Sequence, residues 1–475
     1  MSLVQSVTVA PHPVDRLESV IGSQRYARLA RTADEFRKRL AGRTIWNVSS
    51  TAVGGGVAEM LHVLVGYVED FGIPIRWLVM TGDAEFFAIT KRLHNQIHGQ
   101  TADGPLRGSD AAHYARMLAA NAAELLDQIR PGDLVLLHDP QTAGLAPAVA
   151  SAGGRVAWRC HIGLDWENDA TRVAWGFLRP HLAAAEAYIF SRREYAPAWI
   201  PAERLWVIPP SIDPFSPKNQ DLDVSTVRAI LAAIGLLDED VPGARTSFTR
   251  GDGSMGMVAR PAKITAEGRP SGADQLVVQV SRWDRLKDMA GVMAGFARYV
   301  VPADSGYLVL AGPAVTGVAD DPEGAAVFGE CLLQWRELPA PARARILLVT
   351  LPLDDFDENA AMVNALQRHA TVIAQKSLAE GFGLTVAEGM WKARPVVGSA
   401  VGGISDQIAP GTGILLPDPR DGAAFGAALR RLLDDPASAD EMGRAAQGYI
   451  REHYLGDQHL LRYGNLFGKM IDEGA

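Results

Sequence analysis

The chain has 475 residues, 48% of them hydrophobic and 21% charged, with a formal net charge of −9. Such a composition excludes a disordered or fibrous chain and suits two or three globular domains, and the acidic balance without a basic block argues against nucleic acid as a partner. No apolar run approaches the roughly 20 residues that span a bilayer, and no secretory signal opens the chain. Two cysteines, Cys160 and Cys331, suit a reduced cytoplasm rather than a disulfide scaffold, and no Cys/His cluster has metal-ligand spacing.

In chain order, residues 44–48 predict a short strand that ends in Ser49, Ser50 and Thr51. Gly54, Gly55 and Gly56 then turn the chain. Val57, Met60, Leu61, Leu64, Val65 and Val68 recur at helical spacing up to Gly72 as the stop. Further strands are predicted at 75–79, at 134–137 running into His138 and Asp139, at 155–160 ending at His161, at 187–190 and at 205–208. Repeated βα units with short connections imply a parallel, doubly wound sheet, in which ligands bind beyond the carboxyl ends of the strands. The glycine turn, His138 and His161 all fall at such ends.

Pro209 and Pro210 mark a linker. The segment 240–273, rich in Gly, Arg and Ser and without a clear period, reads as a long and partly mobile insertion. A second α/β series follows, with strands at 275–280, 307–311, 346–350, 371–374 and 395–397, and the tail from 457 to 473 has a helical pattern. The expected fold class is α/β, with two Rossmann-like, doubly wound domains facing across a cleft.

The densest chemistry lies between 371 and 408. A strand leads into a polar turn, Glu380 precedes Gly381, Phe382 and Gly383, and a helix opens at about Leu384 and carries Glu388. Glycines let the backbone approach a ligand closely, and a helix N-terminus offers free N–H groups and a positive dipole end to a phosphate. Two carboxylates eight residues apart can then address hydroxyls at two ends of one polar ligand, as a nucleotide sugar requires. An ordinary strand–turn–helix with two solvated glutamates fits the same pattern. The segment SRWDRLKD (281–288) also follows a strand, and Arg282 and Lys287 can neutralise a diphosphate, by forked and by point-charge contact respectively. Standing alone, it would read as a solvated charge cluster at a helix start.

With these motifs the chain resembles the retaining glycosyltransferases of the GT-B fold, in the large family 4. Within that family it is most similar to the glycosyl-transferring trehalose synthases and their relatives, the retaining trehalose phosphorylases. The likeness rests on STAVGGGVAEMLH (50–62), HDPQ (138–141), WRCHIG (158–163), IPPSIDPFSPKN (208–219), QVSRWDRLKD (279–288) and the Glu380–Glu388 spacing, and extends from about residue 44 to 455. It implies an N-terminal acceptor domain, 1–209, completed by a C-terminal helix, 456–475, and a donor domain, 210–455.

The resemblance further implies that Arg282 and Lys287 hold the donor diphosphate, that Glu388 accepts from the ribose hydroxyls, and that Glu380 contacts the transferred glucose, with the backbone of Gly381, Phe382, Gly383 and Leu384 nearby. Gly55 and Gly56 would let the N-terminal loop close on the phosphates. His161 would lie near the glucosyl C6 hydroxyl and the reaction centre, although a packed histidine at a strand end fits as well. His138 and Asp139 would face the acceptor, with a turn-capping role open for Asp139. Glu85, Lys91 and Asn95 sit where the family lines an acceptor pocket. In one departure, Gly163 and Leu164 intervene before Asp165, where close relatives often carry an aspartate sooner.

The activity so implied is reversible transfer of glucose, with retention, from a nucleoside-diphosphate glucose to glucose, forming trehalose. The alternative is a retaining trehalose phosphorylase releasing glucose 1-phosphate. A sugar- or nucleotide-binding regulator on a degenerate scaffold is disfavoured by the complete set of Arg282, Lys287, Glu380 and Glu388. No tightly bound cofactor is implied; Mg²⁺ is compatible with the chemistry, but no protein site for it is predicted. The expected partners are small sugars and the nucleotide sugar, with no nucleic acid and no membrane, in a cytoplasmic homodimer.

Overall fold

The computed structural model describes residues 2–53, 55–100, 104, 106–239, 243, 245–303, 306–315 and 322–473. The chain divides into two compact units, 1–211 with 456–475, and 212–455. Each is a seven-stranded sheet clothed in helices.

The first sheet comprises β1 (Val4–Val7), β2 (Ile45–Ser49), β3 (Ile75–Met80), β4 (Leu134–His138), β5 (Arg155–Cys160), β6 (Ala187–Phe190) and β7 (Leu205–Val207). Its order is β1-β3-β2-β4-β5-β6-β7, parallel throughout except for β1, which pairs antiparallel with β3 at the edge. Alternate residues bury opposite faces. Val135, Leu137, Val156 and Trp158 join one core, while Leu134, Leu136 and Ala157 join the other. A sheet covered on both faces has no use for polar alternation, which is why its strands read as continuous apolar runs. The helix Gly456–Glu473 returns to this unit, and its Leu466, Phe467, Met470 and Ile471 fill the second core beside Phe36 and Leu40 of the helix Ser23–Leu40.

The second unit opens with the helix Val224–Ala233, followed by a hairpin, β8 (Ser247–Thr249) and β9 (Met255–Met257). Its sheet comprises β10 (Lys263–Thr265), β11 (Leu276–Val280), β12 (Tyr307–Pro313), β13 (Ile346–Leu351), β14 (Val372–Gln375), β15 (Val396–Ser399) and β16 (Gly413–Leu416). The order is β10-β13-β12-β11-β14-β15-β16, parallel except for β10, which pairs antiparallel with β13.

Three edge strands escape the sequence pattern, β1, β10 and β16, because three or four residues on a half-exposed edge carry too little periodicity. The segment expected to be a partly mobile insertion is, over its described residues, folded. Arg250 clasps Asp355 through two N–H···O bonds of 3.0 and 2.7 Å, and the buried Glu358 accepts from the backbone N–H of Ala259 (2.7 Å) and Arg260 (2.8 Å) and pairs with the Arg260 side chain. Its stability comes from ion pairs to another element, which local sequence cannot show.

Replacing Glu358 with alanine should cost about 1–3 kcal/mol per orphaned donor and raise amide exchange selectively across 247–265. Hydrogen exchange read by mass spectrometry checks this; unchanged protection there would show that the segment holds without Glu358.

Candidate active site

In the second unit the strand order reverses between β11 and β14, so their carboxyl ends open a crevice that no connection covers. The loop after β11 carries Arg282 and Lys287, and the loop after β14 carries Glu380. The two loops are cross-braced. The backbone N–H of Leu378 donates to the Leu286 carbonyl (2.7 Å), and the Lys287 ammonium donates to both Glu380 oxygens at 2.7 and 2.6 Å. The buried Lys376 pairs with Asp288. Asp288 adopts a left-handed conformation (φ 50°) and caps the helix Met289–Tyr299 by accepting from Gly291. Gln375, buried at the end of β14, donates to Ser377 (3.0 Å) and accepts from Thr385 (3.0 Å), tying the strand end to the next helix.

That helix, Leu384–Trp391, starts from Gly383, whose φ of 85° is a conformation suited to glycine and which supplies no capping side chain. The Val386 N–H turns back to the Gly383 carbonyl (2.9 Å), and the remaining N–H groups of the uncapped first turn can present donors and a positive dipole end to an anion. Gly403 donates to the Gly381 carbonyl (3.1 Å) and packs so closely that a Cβ there would lie 2.7 Å from the Phe382 backbone. The glycine turns 381–383 and 402–403 thus form one joined ledge.

Arg282 is 65% exposed and reaches Asp284 at 3.2 Å. Glu388 behaves differently from its expected partner carboxylate. It is buried within the helix, with Lys218 at 3.5 Å from Oε1, and Lys392 donates to its backbone carbonyl (3.1 Å). Lys392 also donates to Asn219 (2.9 Å) and Gln367 (2.8 Å), and burial pulls its pKa down to about 7. The structure therefore brings Lys287 and Glu380 into direct contact, leaves Arg282 at the rim, and sets Glu388 in a separate ion pair with Lys218.

In the first unit the order reverses between β2 and β4. His138 ends β4 and His161 follows β5; their rings stack at 5.3 Å, with His138 Nδ1 3.0 Å from His161 Nε2. His138 Nε2 lies 3.1 Å from Asn47 Oδ1 on β2. Burial foremost, and then the Arg159 guanidinium, holds both imidazoles neutral: His138 is lowered to about 3 and His161 falls well below its usual range. Asp139 takes the turn-forming role. Its φ is 63°, its carboxylate accepts from the His161 backbone N–H (2.7 Å), and burial raises its pKa to about 6. The helix Gly55–Asp70 opens after β2 at the two expected glycines, Gly55 and Gly56, while Gly54 lies outside the described residues.

On the helix Ala84–Ile97, Glu85 sits 3.5 Å from the His113 ring, Lys91 is exposed and Asn95 is half-buried. Glu85 is thus turned to His113 and not to His138 or His161. The shifted aspartate also has a physical reason. A Cβ at Gly163 would lie 2.1 Å from the Tyr195 ring, and Asp165 is turned to an ion pair with Arg192. Sequence reasoning missed Arg159, Asn47, Lys376 and Lys218. Arg159 and Lys218 lie inside quoted motifs, but nothing in a motif string tells a buried cation from a solvated one. Among the described residues, no cluster of His, Cys, Asp or Glu gathers to hold a metal ion, and no helix is long and apolar enough to cross a membrane.

Comparison with known proteins gives this geometry a family. A model described as the trehalose synthase N-terminal domain matches residues 47–197, and one for glycosyl transferases group 1 matches 356–449. A trehalose synthase from Rubrobacter xylanophilus is 33% identical over 99% of this chain and its own full length. One from Thermococcus litoralis is 34% identical over 90% of this chain and 91% of the relative. A trehalose phosphorylase from Pleurotus pulmonarius is 25% identical over 93% of this chain but 59% of its own length. Among solved structures, an α,α-trehalose 6-phosphate synthase from Burkholderia multivorans superposes with a TM-score of 0.65 at 14% identity, covering 91% of this chain and 98% of that one. The fold is thus GT-B, and the chain belongs to the trehalose synthase family, a hexosyltransferase of trehalose metabolism.

Proposed function

We propose that this protein moves glucose, with retention, from a nucleoside-diphosphate glucose to free glucose, forming trehalose reversibly. The observation that carries this reading is the contact of Lys287 with Glu380 at the β11/β14 crevice, directly before the uncapped helix Leu384–Trp391. A cation, a sugar-type carboxylate and a free helix N-terminus converge where a sugar diphosphate needs all three.

Lys287 has three donors and spends two on Glu380, so one remains for a phosphate oxygen. Arg282, at the exposed rim, would fold over the diphosphate from the other side. As the glycosidic bond to phosphate breaks, charge grows on the leaving oxygen, and these cations and helix donors favour that state over the ground state. A double displacement needs a carboxylate close to the anomeric carbon. Glu380 is engaged by Lys287 and Glu388 is buried against Lys218, so we favour front-face transfer, in which the leaving phosphate takes the proton of the acceptor hydroxyl. Ribose recognition falls to Glu388, whose carboxylate can accept from hydroxyls beside the Lys218 ammonium. A cytoplasmic homodimer acting on small sugars belongs to the same reading.

Arg282→Ala should lose about 3 kcal/mol of transition-state stabilisation, roughly a hundredfold in kcat/KM. Steady-state kinetics check it, and a loss below about tenfold would remove Arg282 from the diphosphate site.

The decisive test is product analysis by NMR, with glucose as acceptor and UDP-glucose, ADP-glucose, GDP-glucose or glucose 1-phosphate offered separately. An α,α-1,1 disaccharide from a nucleotide donor is expected and would name the base. Product from glucose 1-phosphate alone would make the protein a phosphorylase and leave Glu388 without a ribose to bind.

A further inference from the structure

Behind His161 lies a buried cation that the donor chemistry does not use. Arg159, on β5, has no exposed surface, and among the described residues no carboxylate bonds to it, the buried Asp139 acting on it only through space. Its Nε donates to His161 Nδ1 (3.2 Å), its Nη2 to the Ile208 carbonyl (3.0 Å) and its Nη1 to the Tyr463 hydroxyl. His459 Nε2 is 3.5 Å from Nη1, and His459 Nδ1 is 3.1 Å from Ser211 Oγ. Tyr463 and His459 belong to the helix Gly456–Glu473. The guanidinium also lies over the Tyr463 ring, 5.7 Å from its centroid, so the phenol holds it by its face as well as its oxygen.

A guanidinium is a donor only, so the lone pair it meets fixes where the next proton sits. His161 must be unprotonated at Nδ1 and carry its proton on Nε2. It therefore donates to His138 Nδ1 at 3.0 Å, and His138 in turn carries its proton on Nε2 and gives it to Asn47 Oδ1 at 3.1 Å. Every ring nitrogen in the chain Arg159–His161–His138–Asn47 is used once, and all donors point the same way. Burying an unpaired cation is costly. Here it is held by four contacts from three segments, and the contact at the carboxyl end of its own strand is His161.

We propose that Arg159 and Tyr463 are positioning residues that fix the tautomer and ring plane of His161, so that the C-terminal helix is a part of the active site and not only a clasp on the core. The inference rests on the reading of His161 as a group near the reaction centre. A neutral imidazole with its proton locked on Nε2 gives that donor to His138, so the two rings are held as one unit at the strand ends. A ring released from Arg159 is free to flip or to exchange tautomers, and breaks that link.

The test has two arms on the full-length chain. With ¹⁵N-labelled histidine, NMR ring-nitrogen shifts should show His161 neutral and protonated on Nε2 in the free wild-type protein, with assignment by a His161→Gln variant. Arg159→Lys, which keeps the charge but loses the Nε donor, and the milder Tyr463→Phe should each shift His161 towards a tautomer mixture. In the kinetic arm both should lower kcat by about tenfold or more while the donor KM stays within about twofold. A wild-type His161 protonated on Nδ1 overturns the proposal. So does an unchanged tautomer signature in both variants, whether or not their activity falls. The shift measurement needs no substrate, so a failure to make trehalose from any donor would sink the proposed reaction and leave this arm to decide the tautomer.

Discussion

A parallel sheet wound outward in both directions from one strand leaves a gap at the carboxyl ends, because right-handed crossovers on either side depart to opposite faces. Both units of this protein obey that constraint. In one the gap lies between β2 and β4, in the other between β11 and β14. The side chains with unusual surroundings gather near these ends: Asn47, His138 and His161 in the first unit, Lys287, Lys376 and Glu380 in the second. The fold decides where chemistry is possible, and the loops decide what it is.

The two sites solve the cost of burying polar groups in opposite ways. The first unit holds its imidazoles neutral and strings them into a one-way hydrogen-bond chain with a cation at its base. The second keeps charges and closes them in pairs, Lys287 with Glu380, Lys376 with Asp288 and Lys218 with Glu388. Neutral chains hold orientation without charge, so they suit a site that must keep its ring planes fixed. Paired charges can exchange partners when an anion arrives, so they suit a site that must receive one.

Most of the fold was legible in the sequence because central parallel strands are buried on both faces. The runs at 155–160 and 187–190 coincide with β5 and β6. What escaped were elements stabilised from a distance: β1, β10 and β16 at the edges, and the 247–265 segment fastened by Asp355 and Glu358. The candidate site was legible in the same partial way. Motif spacing brought Lys287 and Glu380 to one crevice, yet it assigned them separate duties, whereas side-chain geometry joins them. Glu388 shows the limit most clearly. Its place on the helix follows from the spacing, but its burial against Lys218 depends on residues 170 positions away that are pinned by Asn364 and Lys392.

On the proposed reading, the pairing of Lys287 with Glu380 has a further consequence for donor binding. An empty crevice holding an unpaired ammonium or carboxylate would carry an uncompensated desolvation cost on each group, and pairing offsets part of both. A diphosphate entering in front of the helix N-terminus would meet the third Lys287 donor, while sugar hydroxyls donate to lone pairs of Glu380 that the ammonium does not fill. Phosphate and sugar would then be gripped through one ion pair that stays closed. Either half of the donor alone would reach only one member of that pair, so a single contact between two loops that the topology was bound to place side by side would favour the whole donor.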